Sequence, residues 1–261
     1  MRRFTLFVVV ALVFMAIAGP LFGQSLKGMS LNGATGLWSI PSGRIGWERT
    51  ADLGFDLGYH SIIDDGENAH IPKASVSLFK LGEISFAYDI QPGDDNEDII
   101  FGGKIQLPIQ QRTAVAVGFN IQSLQFNGVD ENAQQIYLAA TYPGEFFNMP
   151  AETTFVVGKS FGDIIPDEWI DFGMGFDLLL LPDVFQGYVH WISDFSNFSY
   201  SWDAFGADAA QRGVFNTGIR IDIAANPALS RYKFVIDVLA TDLLDEARSL
   251  GLGLAFGAPI L

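Results

Sequence analysis

The sequence predicts an all-β protein: an antiparallel transmembrane β-barrel of about 12 strands, with an N-terminal lead-in segment inside or below the lumen. Three observations predict it. Stretch after stretch alternates with a period of two, the mark of a pleated strand with unlike faces. One face is bulky, apolar and almost free of charge, while the other is rich in glycine and alanine. The connections alternate too, one set weakly charged and the other acidic.

The start of the chain sets the compartment. Arg2 and Arg3 precede an apolar run, residues 4–18, that Gly19 and Pro20 break. Ala16, Ile17 and Ala18 offer a small-x-small cleavage site, and Gly23 offers a later one. The run is shorter than the ~20 apolar residues that cross a bilayer, so it reads as a secretory signal. The expected organisation is a signal peptide at 1–23, a periplasmic or lumen lead-in segment at 24–50, and a transmembrane barrel at 51–261.

Composition narrows the classes further. A chain of 261 residues, 49% apolar and 17% charged, suits one large β domain and not a disordered one. The absence of cysteine removes disulfides, thiol catalysis and thiolate metal sites. A formal charge of −15 argues against nucleic acid, whose phosphates it would repel.

The lead-in carries Gly33, Gly36, Pro41 and Gly43 without sustained periodicity. Alternation then begins with Leu53, Phe55, Leu57 and Tyr59 opposite Asp52, Gly54, Asp56 and Gly58. Ala74, Val76 and Leu78 follow, then a tight turn at Lys80, Leu81 and Gly82, then Ile84, Phe86, Tyr88 and Ile90 opposite Glu83, Ser85, Ala87 and Asp89. Residues 98–122 form the clearest hairpin: Ile99, Phe101, Ile105 and Leu107 on one strand, Val115, Val117, Phe119 and Ile121 on the next, with a turn around Pro108. Ile136, Leu138, Ala140 and Tyr142 continue the pattern; residues 142–151, with Pro143 and Pro150, read as a hinge, and residues 152–161 as a strand of ambiguous facing.

The second half alternates more cleanly. Ile170, Phe172, Met174, Phe176 and Leu178 oppose Asp171, Gly173, Gly175 and Asp177, and a strand with Phe185, Val189 and Trp191 opposes Gln186, Tyr188 and His190. Phe215, Ile219, Ile221 and Ile223 oppose Asn216, Gly218, Arg220 and Asp222; Phe234, Ile236 and Val238 oppose Lys233, Val235 and Asp237; Leu250, Leu252, Leu254 and Phe256 oppose a run of glycine and alanine. Strands of about 9–11 residues suit a tilted bilayer crossing.

Short, weakly charged turns at one rim and longer acidic loops at the other describe a barrel with the periplasm below and the exterior above. The acidic set includes Asp64, Asp94, Asp130, Asp163, Asp194 and Asp242. A soluble sandwich would carry lysine, glutamate and threonine on its solvent face, and lipid demands a closed sheet so that every backbone group is paired. The expected surroundings are therefore outer-membrane lipid. Aromatics near strand ends (Tyr59, Tyr88, Tyr142, Trp169, Phe185, Trp191, Tyr232 and Phe256) suit interfacial girdles, although β-propensity alone also accounts for each.

Little in the sequence points to catalysis or to a cofactor. His60, His70 and His190 are scattered without metal spacing, and no serine lies in a nucleophile elbow. His190 reads as a hydrogen-bonded lumen residue. The acidic loops lack a twelve-residue calcium pattern and read as solvated. The expectation is a non-enzymatic protein with no metal and no cofactor. The inward charges are acid-rich: Asp52, Asp56, Glu83, Asp89, Asp98, Asp171, Asp177, Asp222 and Asp237, against Lys104, Arg220 and Lys233. In a water-filled lumen they favour cations; in a closed one they pair across the barrel and seal it. Candidate lumen-facing residues are Arg44, Asp56, Asp89, Lys104, Asp171, Asp177, His190, Arg220, Asp222 and Asp237.

Gly33, Gly36 and Leu37, followed by Pro41, Ser42 and Arg44 and then a barrel strand, resemble the start of the YjbH-like outer-membrane barrels. The later order is similar too: Lys104 with Leu107 and Pro108, then Ala116 to Gly118, residues 135–140, and Phe155 to Gly158. The resemblance covers residues 33–162 and implies a role in exopolysaccharide production or export. The functional expectation is porin-like transport or an exopolysaccharide-export accessory role, handling polysaccharide or small polar solutes. The alternative is a structural or adhesive barrel that binds a partner through long acidic loops, with Phe198, Tyr200 and Trp202 in the loop to test.

Overall fold

The computed structural model describes residues 27–63, 68–91, 96–109, 112–126, 129–162, 170–200, 213–244 and 248–261. The signal peptide expected at 1–23 and the first residues of the lead-in lie outside them. Twelve strands follow in chain order: β1 (Leu53–Ile63), β2 (Asn68–Leu78), β3 (Gly82–Gln91), β4 (Asn96–Gln106), β5 (Ala114–Phe126), β6 (Val129–Phe146), β7 (Met149–Gly162), β8 (Asp171–Leu179), β9 (Val189–Ser196), β10 (Val214–Asp222), β11 (Lys233–Thr241) and β12 (Ser249–Pro259). Each pairs antiparallel with the next, and β12 pairs back onto β1, from Gly54 against Pro259 to Ile63 against Leu250. The sheet therefore closes and leaves no edge.

The faces follow from what surrounds them. Lys104 is 3% exposed, while its neighbour Ile105 is 64% exposed. Water outside the wall would reverse that pair. Phe101, Ile136, Leu254 and Phe256 are likewise exposed on the outer face, where only lipid makes an apolar surface favourable.

Several sequence expectations need correction. Strand length runs from 8 residues in β9 to 18 in β6, well beyond a uniform span. The hinge expected at 142–151 is continuous ladder: Pro143 sits opposite Glu152, Glu145 opposite Pro150, and Phe147 and Asn148 alone make the turn. Both have left-handed φ angles, 52° and 62°, matching a mirror-type hairpin turn whose twist suits the flanking strands. The strand expected to begin at Phe185 begins at Val189, because Pro182 starts a short helix, α1 (Pro182–Phe185). Long loops are not general at the acidic rim either, since β5 and β6 run on to Phe126 and Val129. The rims differ in charge more than in loop length. Asp52, expected inward, is exposed at the rim where β1 begins, the near rim, and pairs with Lys80 at 3.1 Å.

The space inside is occupied. Residues 28–47 are all buried, and they form an inner segment that enters and leaves the barrel at the rim where β1 begins. The segment folds on itself through Ser30 N–H to the Ala34 carbonyl, Leu31 N–H to Trp38 and Ser42 N–H to Thr35. Gly33 turns the chain with φ at +83°, and a Cβ there would stand 2.5 Å from the Phe86 carbonyl oxygen. Leu31, Leu37, Trp38 and Ile40 join Ile62, Ile71, Ile100 and Ile192 of the wall in one apolar core.

Candidate functional site

The site is the interior wall together with the segment it encloses. Period-two alternation makes every second residue of a strand inward, so a charge at such a position has only the lumen to face. At the near rim Lys27 meets Asp222 at 2.6 Å. Behind them Arg220 forks onto Asp237 (2.8 and 2.9 Å) and reaches Asp177 at 3.1 Å, and Asp177 also holds His190 Nδ1 at 2.5 Å. Four sequence candidates from four strands thus form one network, knitting β8 to β11 together.

A second group seats the returning half of the inner segment. The Arg44 guanidinium contacts both Glu152 oxygens at 3.1 Å and Glu48 at 3.1 Å. Glu83 accepts from the Thr35 amide (2.6 Å), the Thr35 hydroxyl (2.7 Å) and the Gly46 amide (2.9 Å). Directly across the ladder from Glu83 stands Lys104, which donates to the Thr35 and Ser42 carbonyls at 2.8 and 3.1 Å. Asp56 takes the Trp47 indole N–H (3.1 Å) and the Lys233 ammonium (3.0 Å), while that ammonium also lies over the Trp47 ring. Wall charges and main-chain groups of the segment satisfy one another, as burial requires.

Toward the far rim the candidates are more dispersed. Asp89 and Asp98 face each other across β3 and β4, and Asp98 accepts from Gln122. Asp171 accepts from Gln135 (2.7 Å) and Ser160 (2.6 Å). Phe198 and Tyr200, placed by the sequence on an exterior binding loop, are buried inside the barrel, and Trp202 lies outside the described residues. The reason is hydrogen bonding: Tyr200 gives its hydroxyl to Gln135 and receives Asn120, and its carbonyl accepts from Gln122. Burial pushes the Tyr200 phenol well above its usual value, which keeps it a donor.

Some functional residues escaped the sequence reading. Lys73 donates to the Ser30 carbonyl (3.0 Å) and to His60 Nδ1, and His60 stacks on Trp38 at 4.1 Å. Extending the alternation of Ser75 and Ser77 back by one step would have found Lys73. Asp194, assigned to a loop, is the third inward residue of β9 after His190 and Ile192, and it holds the Ser39 amide at 2.7 Å. Glu152 was hidden by a strand of unclear facing. Among the described residues no group of three or more His, Cys, Asp or Glu side chains is set to hold a metal ion. A cavity of about 30 Å³, room for a water molecule, remains at the far rim between Leu31 and Trp38 and the wall residues Val214 and Asn216.

No protein-family profile matches the chain, and no curated protein matches it in sequence. Solved structures do resemble it. The KdgM porin superposes with a TM-score of 0.51 at 8% identity, covering 79% of this chain and 99% of that one. The outer membrane protein Omp33 of Acinetobacter baumannii gives 0.50 at 12% identity, over 81% and 100%. The NanC porin gives 0.50 at 6% identity, over 79% and 100%. At such identities the likeness is one of fold. The chain shares a closed antiparallel barrel architecture with porins of the outer membrane.

Proposed function

We propose that the protein is a non-enzymatic outer-membrane barrel that passes small polar solutes and is held shut at rest by its own N-terminal segment. The supporting observation is the burial of residues 28–47 within a barrel of porin-like fold. Met29, Leu31, Leu37, Trp38, Ile40, Ile45 and Trp47 are all buried. At about 1.5–3 kcal/mol per large apolar side chain, their exposure would cost on the order of 10 kcal/mol or more. Thermal fluctuation alone does not empty such a barrel. Opening is either partial or coupled to an outside force, and both ends of the segment lie at the near rim, so it leaves on that side without threading. Planar-bilayer recording checks the reading: the wild type gives low or rare conductance, and Arg44→Ala gives more frequent openings. Equal, negligible conductance from both folded proteins would end the transport reading.

The finer reading is an accessory role in exopolysaccharide export, supported by the resemblance of Gly33, Gly36, Leu37, Pro41, Ser42 and Arg44 to the YjbH-like barrels. Loss of secreted polysaccharide on deleting the gene, restored by the wild type, is the expected outcome. The filled lumen also favours a second reading, a membrane anchor that binds a partner at its acidic rim. That reading predicts partner binding unaffected by Arg44→Ala.

A further inference from the structure

The inner segment meets the wall mostly as a donor. Lys27 serves Asp222, Arg44 serves Glu152, the Thr35 and Gly46 amides serve Glu83, the Ser39 amide serves Asp194, and the Trp47 indole serves Asp56. In the opposite direction Lys73 and Lys104 donate to carbonyls of the segment. The wall explains this asymmetry. Among the described residues, ten inward carboxylates on β1, β3, β4 and β7 to β11 face four inward Lys and Arg side chains on β2, β4, β10 and β11.

A solute that passes while the segment is displaced must do what the segment does. It must supply N–H donors or positive charge to Asp222 and Glu152, which lose Lys27 and Arg44, and to Asp194, which loses the Ser39 amide, while Glu83 and Asp56 keep Lys104 and Lys233. A carboxylate stripped of its partner in a confined space is unfavourable. An anionic solute would add like charge to an acid-rich wall. We infer that the solute class of this barrel is small cations bearing N–H donors: amines, guanidines and basic oligopeptides, for which the Lys27 and Arg44 side chains are the resident stand-ins. This rests on the transport reading above. It extends that reading by fixing the sign and chemistry of what crosses.

The wild type and Arg44→Ala, each shown folded by a heat-dependent shift in gel mobility, are recorded in bilayers under a KCl gradient. The expected reversal potential corresponds to roughly tenfold preference for K⁺ over Cl⁻, the low end of counter-ion enrichment by a single-sign cleft. Millimolar arginine amide should then block the K⁺ current, while glutamate should leave it unchanged. Should Arg44→Ala lose its heat shift, Lys27→Ala takes its place, since Lys27 sits part-exposed at the rim. A reversal potential at zero or of chloride sign, or block by glutamate instead of arginine amide, overturns the inference while leaving transport standing. No conductance from any folded variant overturns both.

Discussion

Glu83 binds two parts of the chain at once. Its carboxylate holds the Thr35 amide and hydroxyl and the Gly46 amide, eleven residues apart, and faces Lys104 at 3.4 Å. Removing one member of a buried pair strands the other, at a cost of about 3–5 kcal/mol. Glu83→Ala should therefore lower the unfolding free energy, read from urea titration in detergent micelles, by an amount in that range, with Glu83→Gln losing less because it keeps an acceptor. Joint replacement of Glu83 by Gln and Lys104 by Met should cost less than the sum of the single changes. Strict additivity would show that the two side chains do not work as a pair. Arg44 is the comparable anchor on the other side: Arg44→Ala leaves Glu152 without its guanidinium and Glu48 with the longer contact to Arg49 at 3.6 Å, and stability should fall in the same titration.

Strand and inner segment are fitted by what the wall omits. A Cβ at Gly175 would lie 2.5 Å from Leu37 Cδ1, one at Gly251 2.7 Å from Trp38, and one at Gly173 2.8 Å from Ile40. These glycines alternate with lipid-facing Phe172, Met174, Phe176, Leu250 and Leu252, so each strand is bulky outward and bare inward where the segment presses. Overfilling a packed contact costs about 1–3 kcal/mol. Gly175→Val should lower the unfolding midpoint accordingly, and adding Leu37→Ala should recover part of the loss by vacating the space. No recovery would mean that the contact with β9, where the Ser193 carbonyl oxygen also lies 2.5 Å from that Cβ, and not the contact with the segment, excludes valine. Trp38→Ala removes a side chain that fills the gap between Gly251 and His60, and an aromatic-to-alanine change in a core costs about 3–5 kcal/mol.

A closed barrel whose outer face is apolar and whose core includes a passenger segment should resist detergent and unfold as one body. Unboiled protein should migrate apart from boiled protein on a gel, and deletion of residues 28–46 should lower the temperature at which that shift is lost. Unchanged thermal resistance after the deletion would contradict the shared core. The strands and their facing were legible because a lipid-facing wall imposes a period of two that local reading detects, and residues such as Lys104, Arg220 and Asp177 fell on the inward face by that rule. The boundaries at Phe185 and at 142–151 were not legible, because proline permits both a turn and an outer ladder position, and pairing with β8 and β6 settles which. Residues 201–212, the heart of the expected exterior loop, lie outside the described residues.

Alternation and charge were sufficient for an outer-membrane barrel with an acid-rich interior, since each is a property of residues near one another in the chain. Which carboxylate meets which donor is different. Lys27 and Asp222 are 195 residues apart and Ser39 and Asp194 are 155 apart, so no local pattern pairs them. Closure of β12 onto β1 brings such positions around a common axis, and residues 28–47 occupy the interior around that axis.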